Sequence, residues 1–204
     1  GEGTDTADYR ALDAGLRVDL ARGTMSATGL REGDTLAGIE DLLSGAGDDT
    51  ILGSPGPNRL VTGAGDDSIR SGAGADTVEA GRGDDTVEGG DAPDMLDGGP
   101  GRDLLVLPGT SGRVVDLAAG EARNFRDEVV DTFVNFEDVQ SGSSNDTILG
   151  TGADEAFFGN AGDDSLLGAG GGDTLDGGDN SDTLVGGVGA DRLLGDRSDD
   201  RLEG

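Results

Sequence analysis

Residues Gly63–Gly90 read GAGDDSIRSGAGADTVEAGRGDDTVEGG, and one pattern returns in them every nine residues: a glycine-rich turn, an acid, and an apolar side chain two places later. Stepping by nine from Asp49 meets Asn58, Asp67, Asp76, Asp85, Asp94 and Asp103. A second series runs Asp146, Glu155, Asp164, Asp173, Asp182, Asp191, Asp200. Two residues after these come Ile51, Leu60, Ile69, Val78, Val87, Leu96 and Leu105, then Ile148, Phe157, Leu166, Leu175, Leu184, Leu193 and Leu202. With apolar residues at 33% of the chain, fourteen such positions in phase would arise by chance on the order of once in five million. The unit is G-G-x-G-x-D-x-U-x, with U apolar.

A chain that reverses within a few residues needs positive φ, which glycine adopts without steric cost. The three-residue segments after each turn, such as Ser68-Ile69-Arg70, have strand character, and alternation points the single U residue inward. Turn plus strand makes a half-coil every nine residues and a full coil every eighteen, with stacked strands parallel. Helix is disfavoured by the glycine frequency and the apolar period. The expected fold is all-β: a parallel β-roll or β-helix solenoid in two repeat tracts with irregular spacer rungs.

The two tracts belong to a longer duplication. Gly33–Gly53 (GDTLAGIEDLLSGAGDDTILG) aligns with Val130–Gly150 (VDTFVNFEDVQSGSSNDTILG) at an offset of 97, with 11 of 21 positions identical. The organisation expected is residues 1–43 as the end of a preceding repeat plus a spacer, 44–107 as the first tract, 108–140 as a second spacer and 141–204 as the second tract. The opening Gly1-Glu2-Gly3-Thr4-Asp5 resembles the end of an earlier turn and Gly204 the start of another, so a longer repeat protein is expected.

Composition removes most alternatives. Of 204 residues 41 are Gly, and 43 acids face 14 cations, leaving a formal charge of −29. Without Cys or His there is no disulfide framework, cysteine-based zinc site, histidine metal cage or serine-protease-type triad. The charge repels nucleic acid and anionic lipid, and no apolar run approaches the roughly 18–20 residues of a membrane span. One apolar side chain per nine residues is too little burial to offset the ordering of so much glycine. Stacked carboxylates oppose folding further, so a cation is needed at the turns.

The donors are carboxylates and turn carbonyls, a hard-oxygen set that suits Ca²⁺ and, second, Mg²⁺. Turns eighteen residues apart lie one above the other. An ion could therefore take one acid from each of Asp49/Asp67, Asp67/Asp85, Asp85/Asp103, Asp76/Asp94, Asp146/Asp164, Asp164/Asp182, Asp182/Asp200 and Asp173/Asp191. Adding Asn58/Asp76 and Glu155/Asp173 gives an upper bound of about ten ions.

The units GAGDDSIRS, GAGADTVEA, GRGDDTVEG and GNAGDDSLLG resemble the hemolysin-type RTX calcium-binding repeats of secreted bacterial toxins, proteases and lipases. The lead-ins RVDLARG…GDTLAGIEDL and RVVDLAAG…VDTFVNFEDV resemble the spacers of such arrays. The resemblance implies a β-roll with Ca²⁺ held by the sixth-position acids above and by turn carbonyls, here Gly47, Gly65, Gly74, Gly83, Gly101, Gly162 and Gly189. It also implies export by type I secretion machinery, an extracellular or cell-surface location, and folding on meeting calcium outside the cell.

Several turns depart from the pattern: Pro55 and Pro57 before Asn58, Ala92-Pro93, Ser143-Ser144, Ala153, Asn180 and Ser198. Asp48, Asp66, Asp84 and Asp163, one place before the phased acids, read as solvated. The spacer acids Asp19/Asp116, Asp34/Asp131 and Glu40-Asp41/Glu137-Asp138 read first as caps and turn formers and second as further Ca²⁺ ligands, and Val115, Leu117, Phe133, Phe136 and Val139 read as core. Tyr9 and the arginines show no constellation. No differentiated acid pair suggests glycosidase chemistry, and a non-catalytic calcium-binding module is expected. The alternative is a segment of a calcium-dependent adhesin or S-layer-like protein that self-associates through its coil ends. Ice or polyanion binding ranks last.

Overall fold

The structure, a computed structural model, describes residues 3–29, 33–126 and 128–204. Gly1 and Glu2 of the expected opening turn lie outside the described residues. Those described form strands and turns, with no helix. They divide into two compact units, Gly1–Leu104 with Phe133–Asn135, and Leu105–Thr132 with Phe136–Gly204.

In the first unit, alternate nine-residue repeats feed opposite sheets, because each turn reverses the chain. One sheet runs in parallel through Thr6–Asp8, Asp41–Leu43, Arg59–Ala64, Thr77–Arg82 and Asp94–Asp97. The other runs through Leu16–Asp19, Thr50–Leu52, Ser68–Ala73 and Thr86–Asp91, with Thr24–Ala27 antiparallel at its edge. The register places each apolar U residue on the one eighteen positions later, Leu60 on Val78 and Ile51 on Ile69.

The second unit repeats the plan. Arg113–Asp116, Thr147–Leu149, Ser165–Gly170, Thr183–Val188 and Arg201–Glu203 form one parallel run. Asp138–Gln140, Ala156–Phe158, Thr174–Asp176 and Arg192–Leu194 form the other. Its lead-in is antiparallel: Arg113–Asp116 pairs with Glu121–Asn124, which pairs with Val129–Val134.

Twelve of the fourteen U side chains are buried. Leu193 is half-buried, and Leu202 is 49% exposed because its strand has a neighbour on one side only. Val115, Phe133, Phe136 and Val139 are buried in the lead-in rungs, while Leu117 is half-buried.

Strands are longer than the three residues expected in several coils. Arg59–Ala64, Ser68–Ala73 and Thr77–Arg82 run six residues, and their ladders continue into the turns through Gly63↔Gly81 and Gly72↔Gly90. Gly63 and Gly72, at φ 112° and 108°, take an extended mirror-image conformation that keeps the ladder in register and is open to glycine alone. This brings a second inward column into the core, occupied by Thr62, Ser71 and Ala80.

Candidate metal sites

Each phased acid sits at the exit of a turn, just before its strand, where alternation would aim it inward beside U. All from Asp49 through Asp182 are buried, including Asn58 and Glu155, while Asp191 and Asp200 are half-buried.

The burial has a specific hydrogen-bond logic. In the first unit, Oδ1 of Asp67, Asp85 and Asp103 accepts the backbone N–H of Asp49, Asp67 and Asp85, each at 2.8 Å. On the opposite edge, Asp76 and Asp94 accept from Asn58 and Asp76, both at 2.8 Å. The second unit does the same: Asp164, Asp182 and Asp200 accept from Asp146, Asp164 and Asp182 at 2.7–2.9 Å. There too, Asp173 and Asp191 accept from Glu155 and Asp173 at 3.0 Å. All ten stacked pairs read from the eighteen-residue coil are therefore in contact, main chain to side chain.

One oxygen of each accepting carboxylate is thereby satisfied, as is one in each of Asp49, Asp146 and Glu155 by the N–H of Leu16, Arg113 and Thr151. The other, Oδ2, is buried without a hydrogen-bond partner in Asp49, Asp67, Asp76, Asp85, Asp164, Asp173 and Asp182, as is Oε2 of Glu155. The hydroxyls of Ser44, Thr62 and Ser71 stand close to Asp49, Asp67 and Asp76 and partly relieve them. Their protons, however, go to carbonyls of the next coil: Ser44 to Thr62, Thr62 to Ala80 and Ser71 to Gly89, at 2.9, 2.5 and 2.5 Å.

Burial accordingly raises the carboxyl pKa along the ladder, at Asp49, Asp76, Asp85, Asp146, Asp173, Asp182 and Glu155. Asp67 is pushed up to about 7, by burial first and then by the charges of Asp49 and Asp85. Asp164 is pushed up to about 7 by burial and by Asp146, Asp182 and Asp163. A buried anionic oxygen with no donor costs several kcal/mol unless a cation meets it. The donor set fits a hard divalent cation: charged oxygens in pairs, flanked by peptide carbonyls, with no nitrogen or sulfur ligand. Among the described residues no three acids converge on one point, so oxygens beyond a stacked pair would come from neutral groups, with turn carbonyls close at hand.

The fourth turn position supplies candidates. Gly47, Gly65, Gly74, Gly83, Gly162 and Gly189 all have positive φ. At Gly83 the need is double: φ is 127°, and a Cβ there would lie 2.1 Å from the Gly65 carbonyl oxygen of the coil below. A Cβ at Gly101 would lie 1.8 Å from the Gly83 oxygen. Ala92, Asn180 and Ser198 hold the same turn at φ 81°, 85° and 92°, so these departures keep the backbone shape.

Two departures change the chemistry instead. Asn58 Oδ1 accepts the Ser54 N–H at 2.7 Å and its Nδ2 donates to the Glu40 carbonyl at 2.9 Å, closing the turn without charge. Glu155, one methylene longer, reaches back to the N–H and hydroxyl of Thr151.

Asp48, Asp66 and Asp84 are exposed and form an outer ladder of opposite sense, each accepting an N–H from the coil above, at Asp66, Asp84 and Arg102. Asp163 is exposed too and accepts from Ser181. Among the spacer acids, Asp19 and Asp116 cap turns by accepting the N–H three residues on, at 2.8 and 2.9 Å. Asp5 donates its N–H to Glu40, and Ala156 donates to Asp138.

A sequence profile described as the RTX calcium-binding nonapeptide repeat (4 copies) matches residues 34–69, 43–78, 52–87, 71–105, 140–175, 149–184 and 176–204. The chain belongs to this family. The RTX repeats account for the register, the buried acids and the parallel solenoid together, and they make the protein a calcium-binding structural module. No curated protein matches the chain.

Periodicity did not disclose the role of the first RTX glycine. In the second tract Gly159, Gly168 and Gly177 have no positive φ, but a Cβ there would lie 2.4, 2.1 and 2.3 Å from Oδ2 of Asp164, Asp173 and Asp182. That glycine makes room for the carboxylate. Its signal in the sequence is the fixed spacing of five to the acid.

Proposed function

We propose that this RTX chain is a calcium-responsive folding module of a secreted or cell-surface bacterial protein, exported in the manner of type I substrates and without catalysis of its own. Supporting this reading above all is the row of buried carboxylate oxygens, in Asp85, Asp164 and Asp182 among others, left without a hydrogen-bond partner among the described residues. The residues that would hold the ion at each level are the stacked acids, Asp49 through Asp103 and Asp146 through Asp200. Carbonyls of turn glycines such as Gly47, Gly65, Gly83, Gly162 and Gly189 would join them, at up to about ten sites. Bound calcium supplies two positive charges per level; the chain supplies pre-set oxygens and a backbone that forms only once acid repulsion is cancelled. Without calcium, the formal charge of −29 and the thin core favour an unfolded chain. That state suits export, and calcium near the 10⁻⁴–10⁻³ M typical of extracellular modules would fold it.

Far-UV circular dichroism along a Ca²⁺ titration, with Mg²⁺ as comparison, tests the proposal. The expected result is a cooperative gain of strand signal with Ca²⁺, because each coil completes its neighbours. A spectrum identical in chelator and in millimolar Ca²⁺ would overturn it.

A further inference from the structure

The acid ladder of the second unit begins differently from that of the first. Asp49 starts the first ladder, and its Oδ1 accepts the N–H of Leu16, a buried apolar residue, at 2.7 Å. Asp146 starts the second, and its Oδ1 accepts the N–H of Arg113 at 2.7 Å. Leu16 and Arg113 are the same position of the duplication, 97 residues apart.

The arginine side chain turns back onto Asp131, Nη1 to Oδ2 at 3.0 Å, with Arg113 18% and Asp131 3% exposed. The counterpart of Asp131 in the first unit is Asp34, an exposed residue that accepts a hydrogen bond from the Tyr9 hydroxyl. Arg113 thus joins two elements at once, its N–H held by Asp146 of the first coil and its guanidinium by Asp131 of the lead-in. Leu16 gives Asp49 its N–H alone and brings no charge to pair with Asp34.

We propose that the buried Arg113–Asp131 pair is a built-in, metal-independent fastener at the lowest level of the second unit. Held by Asp131 through its side chain and by Asp146 through its N–H, Arg113 ties the lead-in to the first coil without an ion between turns. The antiparallel lead-in and first coil of this unit, residues 113–149, therefore hold together at calcium levels where residues 16–52 do not. The cost of burying a paired arginine and aspartate is met only if both are present, since removing one leaves a buried charge uncompensated. In function, such a segment is a nucleus on which the calcium-dependent coils above it assemble. The inference rests on calcium-induced folding as proposed above.

Hydrogen exchange read by mass spectrometry on the full chain, from chelator through rising Ca²⁺, tests it. Peptides within 113–149 should gain protection at about tenfold lower Ca²⁺ than peptides within 16–52. Arg113→Leu, which installs the residue of the first unit, should erase that gap, and Asp131→Asn should narrow it. Equal midpoints for the two segments in the unaltered chain would overturn the proposal, whatever the variants do. So would an Arg113→Leu chain that folds with the gap intact. A chain that gains no protection anywhere with Ca²⁺ would overturn the folding module itself, which is a different outcome.

Discussion

Five residues before each acid, the first tract carries Ser44, Thr62, Ser71 and Ala80 at four of its seven turns, whereas the second carries a side chain only at Ser141 and glycine at the other six. Both tracts build the same acid ladder with the same eighteen-residue register, but against different inner walls. In the first, hydroxyls pass from coil to coil, Ser44 to Thr62 to Ala80 on one edge and Ser71 to Gly89 on the other, as bonds that owe nothing to metal. The second has one such link, from Ser141 to the Gly159 carbonyl at 3.1 Å, and elsewhere the acid packs directly on glycine. Coherence of the second tract above its first coil therefore depends more heavily on what neutralises the acids.

The largest effect that would test this contrast is charge removal. Asp164→Asn keeps an oxygen for the Asp146 N–H but removes the anion, and should raise the calcium midpoint for folding of the second tract by about tenfold or more. Asp67→Asn should raise that of the first tract by less, because Thr62 remains to tie the coils. Hydrogen exchange resolves the tracts separately, and equal shifts would break the comparison.

Next in size is the inner wall itself. Gly177→Ala places a methyl 2.3 Å from Asp182 Oδ2 and should cost about 1–3 kcal/mol in thermal melts at saturating Ca²⁺. Ala80→Gly, the reverse change in the first tract, should cost about 0.5–1 kcal/mol and leave the ion count by calorimetry unchanged.

Acidity should treat the tracts alike, since each has one acid raised to about 7, Asp67 and Asp164. A carboxyl raised above its ordinary value of about 3.9 favours the metal-free fold at low pH. That advantage fades as pH rises through about 7, where the group ionises in the fold. Calcium must displace those protons, so its affinity should be weaker at pH 6 than at pH 8 in both tracts, measured by the same titration. A dependence confined to one tract would show that the two ladders differ in more than their walls.

The smallest effect expected is from Thr62→Val, which removes the bond to the Ala80 carbonyl and should cost about 1 kcal/mol, read as a lower melting temperature without change in calcium stoichiometry. No loss at all would mean that the hydroxyl ladder does not hold the first tract together.

Much of this was legible from spacing. The nine-residue phase of Asp67, Asp76 and Asp85 identified the acids, and doubling it to eighteen identified their stacked partners, which the structure joins at 2.8 Å. The spacer acids Asp19 and Asp116 behave as the caps expected of them. Periodicity was silent where a contact depends on distance between coils: the room that Gly177 makes for Asp182, the carbonyl that Thr62 reaches, and the pairing of Arg113 with Asp131, which lie eighteen residues apart on separate strands. The six-residue strands were likewise hidden, since a glycine in the mirror-image extended region reads in sequence as any turn glycine.

Sequence alone determined the solenoid, its calcium chemistry and the positions of its acids, because a repeat of fixed length stacked on itself converts spacing directly into neighbours. Tertiary structure alone decided which carboxylate oxygen is satisfied and which is left bare, and where an arginine and an aspartate close on each other. Those outcomes depend on ångström-scale approach between main chain and side chain across coils, which no period encodes.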